Sequence, residues 1–439
     1  MAKTRARSHW LNNRFGKLTL GDWTGLILFF FAIILIFCLL FIRRHTLPYH
    51  FEHTFAVKDP EFIGSALALS DPVLVPGNKI DILNNGDEYF PAMLKAIGGA
   101  RKTINFEAFI LYSDEVGTQF RDAFCERARA GVEARVLVDN IGSGWGLKRG
   151  DVRMMKQAGV KFAYYHPMAS WRVDRTNRRS HRRILVIDGK LAFTGAVGFD
   201  KRWAGHAQDK EHWRDVHMRI EGPLVASLQA AFQEHWIKSF GEVLTGADQF
   251  PTLVPAGNLK AQVVTSRSFS MAPVPLLQAV AFTAAEKRIF VTNAYCTPTD
   301  DQVQQLVKAV QRGVDVRLLL PGANNDQPLT KSAGRTAYGK LLEGGVKIFE
   351  YEPTMNHEKS MVVDGLFSMF GSTNLDARSS AINEELDVVV YDEKFGHEME
   401  NVFAKDLSQS REYTLNEFNQ RSLWERVNEW LAIPFRSQL

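Results

Sequence analysis

Two histidines set in matching polar frames are the residues of this chain best placed to do chemistry. His357 is followed by Lys359, Asp364 and Gly365, then by Gly371, Ser372 and Asn374. His181 is followed at the same offsets by Arg183, Asp188, Gly189 and Gly195. In each frame, apolar runs on either side of an Asp-Gly pair predict two strands joined by a tight turn. Side chains alternate along a strand, so His357 and Lys359 face one way, as do Ser372 and Asn374 on the return strand. An imidazole beside a fixed cation, with hydroxyl and amide donors nearby, suits attack on a phosphorus whose non-bridging oxygens are anionic. Two imidazoles can divide phosphodiester exchange between them, one forming a phosphohistidine and the other acting as acid and then base. Neither a metal nor a cofactor is required.

The two frames resemble the paired H-x-K-x4-D signatures of the phospholipase D superfamily, and residues 76–405 resemble its bacterial cardiolipin synthase branch. The second frame fits without change. The first departs at three positions: Arg183 stands where the family has Lys, and Ala196 and Gly198 stand where Ser and Asn would fall. The resemblance implies an α/β fold of two tandem α/β/α sandwich domains related by a pseudo-twofold axis. It implies catalytic roles for His181, Arg183, Asp188, His357, Lys359 and Asp364, with His181 as nucleophile and His357 as acid/base, a choice that local sequence leaves open. For Asp188 and Asp364 a turn or salt-bridge role stands beside the chemical one, because each lies next to Gly at an odd offset from its histidine. Ser372 and Asn374 are the expected contacts to substrate oxygens. Asp215 and Glu385 resemble the carboxylates that fix the tautomer of each imidazole, with plain surface carboxylates as the alternative. The implied reaction transfers a phosphatidyl group to the head-group hydroxyl of phosphatidylglycerol, forming cardiolipin; phosphatidylethanolamine is a further candidate donor.

Helices and strands that could carry these frames alternate through the chain. Residues 88–101 and 117–130 have helical periodicity, and residues 103–111 and 134–138 read as strands. The order then returns: segments starting at Ala285, Arg312 and Gly344 match those at Ala100, Ala130 and Ala158, at offsets of 185, 182 and 186, against 176 between the histidines. Two copies of one domain are expected, at residues 76–250 and 251–439, meeting so that the histidines come together.

Ahead of them, residues 1–22 form a basic tail and residues 43–75 a linker or a platform. Residues 23–42 carry no charge and have the length of about 20 residues that spans a bilayer core. A single-pass anchor in the cell membrane is expected. More Lys and Arg precede it than follow it, which favours a catalytic part outside the cytosol. The chain of 439 residues carries a formal charge of only +4, which disfavours a nucleic-acid protein, and three cysteines make no disulfide framework. His206, His212 and His217 have no common zinc spacing. A run from Trp171 to Arg183 with six arginines, Arg178 and Arg179 among them, reads as an attractor for anionic lipid or as a solvated loop. At the C-terminus Leu423, Trp424, Val427, Trp430 and Leu431 fall at helical spacing, for a helix in the membrane interface or packed on the domain. Other readings stand beside the lipid one: a phosphodiester hydrolase or nuclease, or an anionic-lipid-binding protein without turnover.

Overall fold

The computed structural model describes residues 20–41, 52–70, 73–167, 177–267, 273–436 and 438. The chain forms two compact units, Met1–Leu47 and Pro48–Leu439. The first contains one helix, Leu20–Phe41. It coincides with most of the expected span, but residue 42 and the side chains from Ile33 onward lie outside the described residues. Among the described residues no helix is long and apolar enough to cross a membrane. Most of the basic tail, and residues 171–176 of the arginine run, lie outside the described residues as well.

The second unit is built on one mixed sheet of 15 strands. Its first half contains β1 (Val75–Asn84), β2 (Thr103–Ala108), β3 (Glu133–Asp139), β4 (Lys161–Tyr165), β5 (Ile184–Ile187), β6 (Leu191–Gly195) and β7 (Val216–Glu221). Its second half contains β8 (Leu259–Thr265), β9 (Arg288–Asn293), β11 (Asp315–Pro321), β12 (Lys347–Tyr351), β13 (Lys359–Val363), β14 (Phe367–Gly371), β16 (Leu386–Tyr391) and β17 (Ser410–Tyr413). The short strands β10 (Cys296–Thr297) and β15 (Leu375–Asp376) pair separately. From the centre outwards the halves run β1-β7-β6-β5-β2-β3-β4 and β8-β16-β14-β13-β9-β11-β12-β17. The orders are equivalent strand for strand up to β17, and the halves join where β1 pairs antiparallel with β8. The repeats expected from sequence thus lie edge to edge within one unit.

Burial explains the strand composition. The runs Ile184–Ile187 and Phe367–Gly371 are apolar throughout or nearly so, and every residue in them is buried, as strands covered on both faces require. The hairpins turn as the Asp-Gly pairs predict: Asp188 and Gly189, and Asp364 and Gly365, all have positive φ, between 52° and 70°. Residues 60–69, within the expected linker, form the helix Pro60–Leu69. Its buried Phe62 meets Phe367 edge to face at 5.5 Å, so this stretch belongs to the second-half core.

Candidate active site

Each histidine stands just before a hairpin strand and is fixed by backbone bonds to the opposite half. His181 N donates to Glu384 O at 2.9 Å, and Glu384 N donates to Arg179 O at 2.8 Å. In the equivalent place His357 N donates to Arg214 O at 2.7 Å, and Arg214 N to Met355 O at 2.9 Å. These two crossed straps bring the carboxylate after each strap residue onto the imidazole of the other half. His181 Nδ1 donates to Glu385 Oε2 at 2.8 Å and lies 3.0 Å from the Ser372 carbonyl. His357 Nδ1 donates to Asp215 Oδ2 at 2.9 Å. Since these partners only accept, the proton sits on Nδ1 of both rings and leaves Nε2 as the nucleophilic or basic atom.

The carboxylates are themselves held. Glu385 receives Ser372 Oγ at 2.6 Å, Ser379 Oγ at 2.7 Å and Asn383 Nδ2 at 3.1 Å. Asp215 receives Trp203 Nε1 at 2.8 Å and Val216 N at 2.8 Å. Burial pushes both carboxyls upward, but the donors outweigh it and hold both below the ordinary range: chiefly His181 and the two serines for Glu385, and His357 for Asp215.

Both cations are buried against their own histidines. Arg183 Nη2 lies 3.1 Å from His181 Nε2, and its Nη1 donates to the His181 carbonyl. Lys359 Nζ is 3.1 Å from His357 Nε2 and donates to the His357 carbonyl at 2.7 Å. Burial, with the adjacent cation second, lowers His181 to about 4 and His357 to about 3, so both imidazoles are neutral at rest. Burial also lowers Lys359 to about 7 and Arg183 to about 10. Arg183 acts on His357, and Lys359 on His181, through space, which marks the two frames as one electrostatic cluster. Aromatic walls keep water from it: Phe109 stands edge to face with His181 at 5.0 Å, and Trp203, Trp213 and Tyr295 surround His357 at 5.0, 5.6 and 5.7 Å.

The remaining expected residues are placed as follows. Ser372 spends its hydroxyl proton on Glu385, so it orients the His181 partner. Asn374 is buried, and its Oδ1 has no partner among the described residues. Arg179 supplies a strap carbonyl and lies near Asp139, with its neighbour Arg178 beside it. Asp188 and Asp364 stay at the turns, away from the imidazoles. Asp188 accepts from the backbone N of Arg101, Lys102 and Thr103 at 2.9, 2.7 and 2.9 Å. Asp364 accepts from those of Glu286, Lys287 and Arg288 at 2.8 Å each. Both aspartates therefore tie a hairpin to the start of its neighbouring strand, which corrects the expectation of a direct catalytic contact.

A family profile described as the phospholipase D-like domain of cardiolipin synthase matches residues 93–236 and 280–407. The chain belongs to that family. Among curated relatives, cardiolipin synthase 1 of Bacillus cereus is 33% identical over 359 residues, covering 79% of this chain and 70% of the relative. Cardiolipin synthase A of Pseudomonas syringae pv. syringae is 33% identical over 353 residues, covering 78% and 71%. The crystal structure of the phosphatidylserine synthase of Haemophilus influenzae shares the fold, with a TM-score of 0.66 at 12% identity, over 86% of this chain and all of that one. The chain is a phosphatidyltransferase of that family, and its own two repeats each carry one of the histidine frames.

Sequence reasoning missed the groups that tie the straps together. Arg214, buried, grips Asp406 through Nε at 2.9 Å to both carboxylate oxygens. At the equivalent place Glu384 meets His235 Nε2 at 2.6 Å and Tyr165 OH at 2.7 Å, while His235 Nδ1 meets Glu107 at 2.6 Å. One strap is thus clamped by a cation of the first half and the other by a carboxylate of the second. Arg214 and Glu384 each directly precede an expected carboxylate, Asp215 or Glu385, and that adjacency was the available signal. Among the described residues no cluster of His, Cys, Asp or Glu has metal-holding geometry. His212 pairs with Asp209 at 2.6 Å, and His217 is buried on β7.

Proposed function

We propose that this chain transfers a phosphatidyl group between alcohols, making cardiolipin from phosphatidylglycerol through a phosphohistidine. The observation that carries this reading is the crossed pair of histidine–carboxylate contacts, each beside a buried cation. Bound phosphodiester oxygens take over the donors of Arg183 and Lys359 that now point at the imidazoles. His181 Nε2 attacks phosphorus, forming an N–P bond as the P–O bond to the leaving glycerol breaks. The substrate's negative charge and Asp215 favour imidazolium at His357, which gives its proton to the departing alkoxide. In the second half-reaction the hydroxyl of another phosphatidylglycerol loses its proton to His357 and attacks phosphorus, and the N–P bond breaks. Assigning attack to His181 follows the family resemblance and its doubly accepted Nδ1–H. The Asn374 amide, buried with no donor to its oxygen among the described residues, is the remaining group for orienting the head group. No metal ion or cofactor takes part.

Residues 23–42 anchor the enzyme in the cell membrane as a single span, with the catalytic unit on the non-cytoplasmic side. Lipid mass spectrometry of the purified protein in vesicles of phosphatidylglycerol, with and without phosphatidylethanolamine, tests the activity. Cardiolipin that appears with wild type and vanishes with His181→Ala supports it, and the ethanolamine dependence identifies the donor. Phosphatidic acid alone marks a hydrolase, and no lipid product in any mixture refutes transfer.

A further inference from the structure

The helix Leu423–Ala432 is turned inside out. Its positions facing the protein are Glu429 and Ala432, both buried, with Glu425 half-buried. Glu425 reaches Arg335 on the helix Pro328–Glu343 at 3.2 Å, and Glu429 pairs with Arg421. The apolar side chains point outward instead: Leu423 is 80% exposed, Trp424 77%, Trp430 69% and Leu431 52%. A helix bounded by water carries its charges outside and its apolar stripe inside, the reverse of this one. Each large apolar side chain left in water forgoes the stabilisation that burial would bring. A capping box of Ser422 and Glu425 fixes where the helix begins, so the arrangement is built in rather than a frayed end.

Two further observations say what covers this face. Charge comes first: the stretch carries Arg421, Arg426 and Arg436, while both its acids are tied up in the pairs above. The Arg426 and Arg436 guanidiniums donate to backbone carbonyls, Asn419 O and Pro298 O, and pair with no carboxylate among the described residues. Exposed tryptophans flanked by arginines match the boundary between acyl chains and anionic head groups. Position comes second. The chain leaving the helix runs to the edge of the active site, where Gln438 O accepts from Arg378 at 3.0 Å and Gln438 Oε1 accepts from Asn177 at 3.0 Å. Arg378 also donates to Asn177 O at 2.8 Å and feels the charge of Glu385, and Asn177 leads directly into the His181 strap.

We propose that the outward face of Leu423–Ala432 lies in the interfacial layer of an anionic phospholipid bilayer and presents the rim at Asn177 and Arg378 to the head groups. This rests on phospholipid being the substrate. The test uses the full chain in vesicles of phosphatidylglycerol and dibrominated phosphatidylcholine, whose bromines quench nearby tryptophan emission. In the double variant Trp424→Ala/Trp430→Ala the quenched share of emission falls relative to wild type. Its transfer rate on vesicle lipid falls about fivefold or more, while the rate in detergent mixed micelles stays at the wild-type value. Trp424→Phe/Trp430→Phe keeps the apolar face and restores transfer on vesicles. Unchanged quenching in the alanine variant overturns the proposal, as does a halved particle mass in detergent, which would mean that a second copy covers the face. Absence of lipid transfer under every condition would sink the substrate reading, while the quenching comparison would still decide the docking.

Discussion

The two half-sites share one backbone plan and differ in what stands on it. The second pairs His357 with Asp215, Lys359 and a wall of two indoles and a phenol. The first pairs His181 with Glu385, Arg183 and the single ring of Phe109. Burial brings Lys359 down to about 7, whereas Arg183 falls only to about 10 and keeps its charge throughout the physiological range. One half therefore holds a permanent cation and the other a titratable one. The difference teaches that repeat symmetry fixes where the groups stand, while protonation divides their labour: the fixed charge sits beside the attacking ring and the mobile one beside the ring that must gain and lose a proton.

Removing either imidazole gives the largest effects. His181→Ala and His357→Ala each lower kcat by about a thousandfold or more, because neither histidine can do the other's step. Single-turnover assays separate them: the His357 variant, given a substrate with a good leaving group, still releases the first alcohol, and the His181 variant does not.

The carboxylates come next. Glu385→Gln and Asp215→Asn keep the shape but lose the charge that holds each Nδ1 proton, and kcat falls about a hundredfold with KM changed little. Because the contacts cross between halves, Glu385→Gln impairs attack and Asp215→Asn impairs proton transfer, which pre-steady-state product bursts resolve. Equal losses in one and the same step would break the crossed assignment.

Asp364→Ala and Asp188→Ala address stability. Each loses three backbone donors and should cost about 3 kcal/mol, lowering Tm, while activity per folded molecule remains near wild type. Thermal unfolding beside activity at low temperature measures both.

The smallest effect sharpens the comparison of the cations. In the free enzyme kcat/KM falls as His357 loses its proton near pH 3, and a further, upper limb follows as Lys359 loses its own near pH 7. Lys359→Arg moves the upper limb to higher pH at a rate reduced about tenfold, since a guanidinium fills this pocket less well. Arg183→Lys should bring a second group into the upper limb and steepen it.

Much of this was legible in the residues. The two frames, their Asp-Gly turns and the returning order of helices and strands are local patterns, and the fold reproduces them, from Ile104 opposite Ile187 to Ile289 opposite Val363. Asp215 and Glu385 were legible as partners for imidazoles. Their crossing was not, because the sequence places Asp215 after the first histidine and Glu385 after the second. Only the straps at Glu384 and Arg214, long-range backbone pairs with no local signature, reverse that grouping. For the same reason Ser372 read as a substrate donor: the carboxylate that takes its proton lies 13 residues on, beyond any strand period. The inside-out helix was visible as a periodic apolar face, but the side that packs on the domain depends on Arg335 and Arg421, which no period reveals.

The most direct test of the central claim is to trap the covalent intermediate. Full-length protein is mixed with phosphatidylglycerol carrying labelled phosphorus, quenched in base and digested, and the label is located by mass spectrometry. An acid-labile, base-stable phosphoramidate on His181, formed by wild type and absent in His181→Ala, is the predicted result. Label on His357, or turnover to cardiolipin with no labelled histidine at all, would contradict it.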